Sequence, residues 1–118
     1  MILARFFRSK DGAIKAVEIS GHAGAGEFGS DIVCAAASTI AYTAVGALEE
    51  ICGIKDGIRI EENSQEDAVS FVDIRIPGNL DKATAEKADI VLRTMEVGYR
   101  QLEATVRGQY VTVEQLID

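Results

Sequence analysis

Ile2 to Arg8 is a short apolar and aromatic run, Ser9-Lys10-Asp11-Gly12 has turn chemistry, and Ala13 to Ser20 is a second β-type run, so the three predict a hairpin. A glycine-rich segment follows. Ser30 or Asp31 can then cap a helix that runs to about Cys52, where Gly53 is a natural C-terminal stop. Six alanines (Ala35, Ala36, Ala37, Ala41, Ala44 and Ala47) make this helix thin, and Ile32, Val33, Ile40, Val45, Leu48 and Ile51 spread apolar surface over nearly all its faces. Such a helix is expected to be largely buried, as the core helix of the fold.

Gly57 to Glu62 and Ala68 to Ile76 predict a second hairpin around the polar turn Asn63 to Asp67, ended by Pro77-Gly78. Asp81 is a good N-cap. Beyond it, Ala88, Val91, Leu92, Met95, Tyr99, Leu102 and Val106 recur at three- and four-residue spacing and predict an amphipathic helix from Lys82 to about Arg107, with Gly108 as its stop. Tyr110 to Glu114 reads as a last short strand. The order is ββαββαβ, an α+β fold in which two long helices pack on a mainly antiparallel sheet.

Length and composition fit that picture. With 118 residues, 47% hydrophobic, 26% charged and a single proline, residues 1–118 suit one globular domain without linkers or low-complexity segments. Nineteen acidic against twelve basic side chains give a net charge of -7, which disfavours direct nucleic-acid binding and favours a basic partner. The excess is concentrated in residues 49–67, where seven acids face two bases. Two cysteines, Cys34 and Cys52, are too few for a disulfide framework, and no apolar run follows a basic leader; the expectation is a cytoplasmic protein with reduced thiols and no membrane segment.

Candidate chemistry gathers between Gly21 and Ser38, which hold the sole histidine, His22, and Cys34. A cysteine in the first turn of a helix meets unpaired backbone N–H groups and the positive end of the macrodipole, both of which favour thiolate. A histidine in reach would complete a nucleophile and base. Two other readings of the stretch are weak. Gly24-Ala25-Gly26-Glu27-Phe28-Gly29 satisfies the dinucleotide pattern, but Lys15 and Glu18 are wrong for a central parallel strand, and Glu27 and Asp31 would set carboxylates beside a pyrophosphate. His22, Asp31 and Cys34 are possible zinc ligands, but a fourth is missing: Cys52 lies about 27 Å along the helix from Cys34. Neither a metal nor a cofactor is expected.

Gly21-His22-Ala23, a short variable loop, and then Gly29-x-Asp31-Ile32-Val33-Cys34-Ala35-Ala36-x-Ser38 closely resemble the signature of the ribosomal-processing cysteine protease (Prp) family of bacteria. The resemblance implies a cysteine endopeptidase that removes the N-terminal extension of a large-subunit ribosomal protein, with Cys34 as nucleophile and His22 as general base. It further implies a homodimer and an aromatic, hydrophobic preference beside the cleaved bond. Asp31 has two candidate roles, helix cap or a carboxylate that orients His22, and Ser38 is one turn after Cys34 on the same helical face. Gly21, Gly24, Gly26, Phe28 and Gly29 are the loop and substrate-binding candidates, and the backbone N–H groups at the helix start, Cys34's own among them, are the candidate oxyanion donors. The competing function is a non-catalytic ribosome-associated module that holds a basic peptide tail in the same loop.

Overall fold

The computed structural model describes residues 1–21, 28–63 and 68–117. Seven elements follow in the expected order: β1 (Ile2–Arg8), β2 (Ile14–Gly21), α1 (Phe28–Glu50), β3 (Ile58–Asn63), β4 (Ala68–Arg75), α2 (Lys82–Thr105) and β5 (Val111–Ile117). The strands form one sheet in the order β3-β4-β2-β1-β5. Both hairpins are antiparallel, as is β2 with β4, while β5 joins β1 in parallel. The sheet is therefore mainly antiparallel with one parallel edge pair. That parallel pair follows from the helices: β2 and β3 run in the same direction, as do β4 and β5, so α1 and α2 are crossover connections that return the chain to the start of the sheet.

Period-two alternation decides which sheet face is the core. Ile2, Ala4 and Phe6 of β1, Val17 and Ile19 of β2, Val72 and Ile74 of β4 and Val111 of β5 are buried beneath the helices. On the opposite face Arg5 stands across from Glu18 and beside Glu114, and Glu18 across from Asp73, with Arg75 reaching Glu18 at 3.4 Å and Asp73 at 3.5 Å. A charged outer face needs no second layer, so the molecule is a two-layer α+β sandwich.

The helices obey the same logic at period 3.6. In α2 the buried stripe is Ala88, Leu92, Met95, Glu96 and Tyr99. Its N-cap is Asp81, whose carboxylate accepts the Thr84 N–H at 2.7 Å. Glu96 is the one charged member of that stripe; it accepts two hydrogen bonds from Arg8, at 2.7 and 3.0 Å, and one from Gln115 at 3.0 Å, fastening the far ends of β1 and β5 to α2.

In α1 the buried stripe is Val33, Ala37, Ala41, Ala44, Val45 and Leu48. The expectation that this helix is largely buried is not met on its outer side: Ile32 is 61% exposed and Tyr42 41%, and Ile51, just past the helix, is 63% exposed. A single sheet can cover only one side of a helix, and α2 flanks α1 without roofing it. By length and composition alone Ile32–Glu50 could cross a bilayer, but its stripe packs on the sheet as a core helix does. At its end Gly53, at φ 69°, closes the helix, its N–H bonding Glu49 O at 3.1 Å and the Ile54 N–H bonding Leu48 O at 2.9 Å.

Candidate active site

β2 ends at Gly21, paired with Ile2 across the hairpin. Its φ of 86° lies in the left-handed region, and a Cβ there would drive into the carbonyl oxygen of Met1. Only glycine permits the strand to end this way against the start of β1. His22, Gly24 and Gly26 lie outside the described residues.

α1 begins at Phe28, so Phe28 and Gly29 are its first two residues and Ser30 and Asp31 stand inside its first turn. Neither Ser30 nor Asp31 is the N-cap, which removes the capping role considered for Asp31 and leaves the orientation of His22 as its candidate role. Gly29 is a helical residue rather than a joint of the loop. Cys34, the seventh helical residue, falls in the second turn instead of the first. In a helix that begins at Phe28 the N–H groups without intrahelical partners lie at its very start, and the N–H of Cys34 falls within the helical ladder. That engagement counts against Cys34's own N–H as an oxyanion donor, and the macrodipole, which fades within the first turn, acts on this thiol less than an N-terminal placement implied.

Cys34 is half-buried and packs against the core. It lines a small pocket with Gly21 and Ser38, between the end of the β1–β2 hairpin and the start of α1. Ile2 and Ile19 form the sheet wall, Ala37 and Ala41 the helix wall, and Tyr99 enters from α2. The enclosed volume is about 10 Å³, room for roughly one water. Three of the residues singled out in the sequence, Gly21, Cys34 and Ser38, are therefore brought together.

Tyr99 is the pocket residue that sequence reasoning missed. Its side chain is fully buried, tilted against Phe6 with ring centroids 6.2 Å apart, and its hydroxyl donates to the Ala37 carbonyl at 2.8 Å. Periodicity identifies it only as an apolar-stripe position; the one available signal was that a buried phenol must find an acceptor. Cys52 is not among the residues of this pocket, and burial pushes its thiol pKa up, against a weaker opposing pull from Lys87.

A larger groove of about 430 Å³ runs along the outer side of the helix pair, between Ile40, Ala44, Ala47 and Ile51 on one flank and Ile90, Val91 and Met95 on the other. Its polar members are Thr39, Thr43 and Thr94. Size notwithstanding, it is lined by no nucleophilic thiol and no titratable group, whereas the smaller pocket has Cys34.

The arrangement fits a set of known proteins. The family model described as cysteine protease Prp matches residues 1–112. The ribosomal processing cysteine protease Prp of Bacillus subtilis (strain 168) is 30% identical over 103 residues, 87% of this chain and 88% of that protein. Among solved structures, SMU.848 from Streptococcus mutans superposes with a TM-score of 0.81 at 31% identity, covering 100% of this chain and 96% of that one. The essential ribosomal processing protease Prp from S. aureus, in complex with a covalently linked product peptide, gives a TM-score of 0.70 at 26% identity over 98% of this chain and 99% of its own.

Proposed function

The chain belongs to the ribosomal processing cysteine protease (Prp) family, and we propose that in it Cys34 is the nucleophile and His22 the general base of an endopeptidase that removes the N-terminal extension of a large-subunit ribosomal protein precursor. The observation that carries this reading is the shared pocket of Cys34 and Gly21, because His22 is bonded directly to Gly21. Cys34 thus lines the same pocket as the residue that precedes His22 in the chain. The S. aureus relative holding a covalently linked product peptide supports the same chemistry on the same fold.

In the reaction His22 takes the Cys34 proton, and the sulfur attacks the scissile carbonyl carbon to give a tetrahedral oxyanion. Collapse breaks the C–N bond while the imidazolium returns the proton to the leaving amine, and the new N-terminus departs. Water, deprotonated by His22, then attacks the thioester, and the thiol regains its proton as the acid product leaves. Asp31, one helical turn before Cys34, is read as the carboxylate that orients His22, and Ser38 as a polar wall of the pocket. Gly24 and Gly26 are the substrate-binding candidates of the segment between β2 and α1.

The net charge of -7 supports a basic substrate, since ribosomal proteins are basic and opposite charge speeds encounter. Family membership extends the proposal to a cytoplasmic homodimer, and the apolar groove along α1 and α2 supports a partner copy on that side.

The test is incubation of the wild type, Cys34→Ala and His22→Ala with the extended precursor from the same organism, read by intact mass. Cleavage by the wild type alone, with precursor still bound by Cys34→Ala, is the expected result. Undiminished cleavage by either variant overturns the dyad, and binding without cleavage by the wild type would favour the peptide-holding module.

A further inference from the structure

We propose that Tyr99 is a positioning residue for the Cys34 reaction, its hydroxyl fixing the setting of α1 on the sheet through the Ala37 carbonyl. The inference rests on Cys34 being the nucleophile, as proposed above.

The need for such a device comes from α1 itself. The face that α1 turns to the core next to Cys34 is Val33, Ala37 and Ala41, and beyond Val33 it presents only methyl groups, which key the helix weakly against slipping along or rotating about its axis. The distance between the helices is set nearby: a Cβ on Gly98 would meet Ile40 Cγ2 at 3.2 Å, so α2 is already close to α1 there. That contact fixes separation but not register, because apolar contact has no preferred direction. A hydrogen bond does. The Tyr99 hydroxyl donates at 2.8 Å to a carbonyl three residues after Cys34 and one before Ser38, across 62 positions of sequence. A helix carbonyl has a second lone pair beyond the one used in the ladder, so the bond adds a constraint without breaking the helix. One residue of slip is 1.5 Å and 100° of rotation, and would carry the carbonyl out of reach.

Two further observations suit Tyr99 to the task. The residue lines the same pocket as Cys34 and Ser38, so the tether lies beside the reacting sulfur rather than at a remote helix end. Burial raises its phenol pKa far above the usual value, so the hydroxyl stays a donor throughout the working pH range.

Tyr99→Phe removes the donor and keeps the ring. Steady-state cleavage of the precursor, at a temperature where circular dichroism shows both proteins folded, should give kcat reduced about tenfold with KM within about twofold of wild type. Genetic incorporation of 4-aminophenylalanine at position 99, which restores an N–H donor, should recover most of that loss. Phe6→Leu is the comparison for a purely structural effect, since it disturbs packing on the same ring without touching the hydroxyl; it should lower thermal stability and leave kcat within about twofold. Wild-type kcat in Tyr99→Phe, an equal kcat loss in Phe6→Leu, no rescue by the amino analogue, or outright unfolding of Tyr99→Phe would each overturn the assignment. Cys34→Ala in the same series separates the two failures: if it is inert while Tyr99→Phe keeps full kcat, the nucleophile stands and the tether falls. If it cleaves normally, the underlying function fails.

Discussion

Replacing Gly21 by alanine should cost both stability and rate, and the two losses have separate structural origins. At φ 86° an L-residue is disfavoured by about 1–2 kcal/mol. The added methyl must also move away from the Met1 carbonyl by about 1 Å to reach ordinary contact distance. Together these suggest about 2–3 kcal/mol of destabilisation. At about 2 cal/mol/K per residue a 118-residue domain loses about 4 °C of Tm per kcal/mol, so the fall should be about 8–12 °C. The rate effect comes from where the displacement lands. Gly21 is bonded to His22 and lines the Cys34 pocket, and misplacing a reacting group by about 1 Å can cost about 100-fold.

Gly57 supplies a matched comparison. It has φ 83°, and a Cβ there would strike the carbonyl oxygen of Arg75 as hard as one at Gly21 would strike Met1. Arg75 pairs with Ala16, five residues along β2 from Gly21 and so about 17 Å from the strand end that precedes His22. Gly57→Ala should therefore lower Tm by a similar amount while kcat/KM, measured well below Tm, stays within about threefold of wild type. Gly21→Ala should lose at least about 30-fold in the same assay. Equal activities for the two variants at equal stability would refute the claim that the end of β2 sets catalytic geometry.

Two further outcomes follow from the charge cluster and the groove. Hydrogen bonding to Arg8, helped by Gln115 and the Arg100 charge, holds the Glu96 carboxyl below its ordinary pKa despite burial, so its stabilisation is complete above the unfolded-state pKa and is lost as pH falls through the lower folded value. Glu96→Gln should cost about 2 kcal/mol at neutral pH, and the Tm gap to wild type should narrow as pH falls below the ordinary glutamate range; a gap independent of pH would remove Glu96 ionisation as the cause. Ile90 and Ile51, 56% and 63% exposed, flank the helix groove, so Ile51→Lys with Ile90→Lys should weaken self-association by at least about 100-fold in light scattering. A dimer undisturbed by both lysines would place its interface on another face.

The parts of the fold governed by local rules were legible in the residues. The two hairpins, Asp81 as N-cap and Gly53 as helix stop stand where alternation, turn chemistry and capping placed them. The start of α1 was not, because Ser30 and Asp31 have the chemistry of caps but sit inside a helix that had already begun at Phe28. The outer side of α1 was misjudged for a related reason: apolar content reports what a residue tolerates, whereas burial depends on what lies opposite, and only one sheet lies there. The parallel pairing of β1 with β5 joins segments too far apart for any local pattern to encode. Of the candidate site residues named from the motif, Gly21, Cys34 and Ser38 line one pocket, a grouping that residue-type chemistry alone could suggest. Tyr99 was hidden, as its contribution depends on which carbonyl its hydroxyl meets, a property of helix packing alone.

The pairing of β1 with β5 also fixes when the site can be finished during synthesis. Ile2, a wall of the Cys34 pocket, donates its N–H to Tyr110 O at 2.6 Å and pairs with Val111, so the oldest strand waits for the youngest. Until β5 has left the ribosome, β1 is an open edge with its backbone groups unpaired on that side. The slow, long-range closure that results makes β5 a requirement for the pocket wall at Ile2.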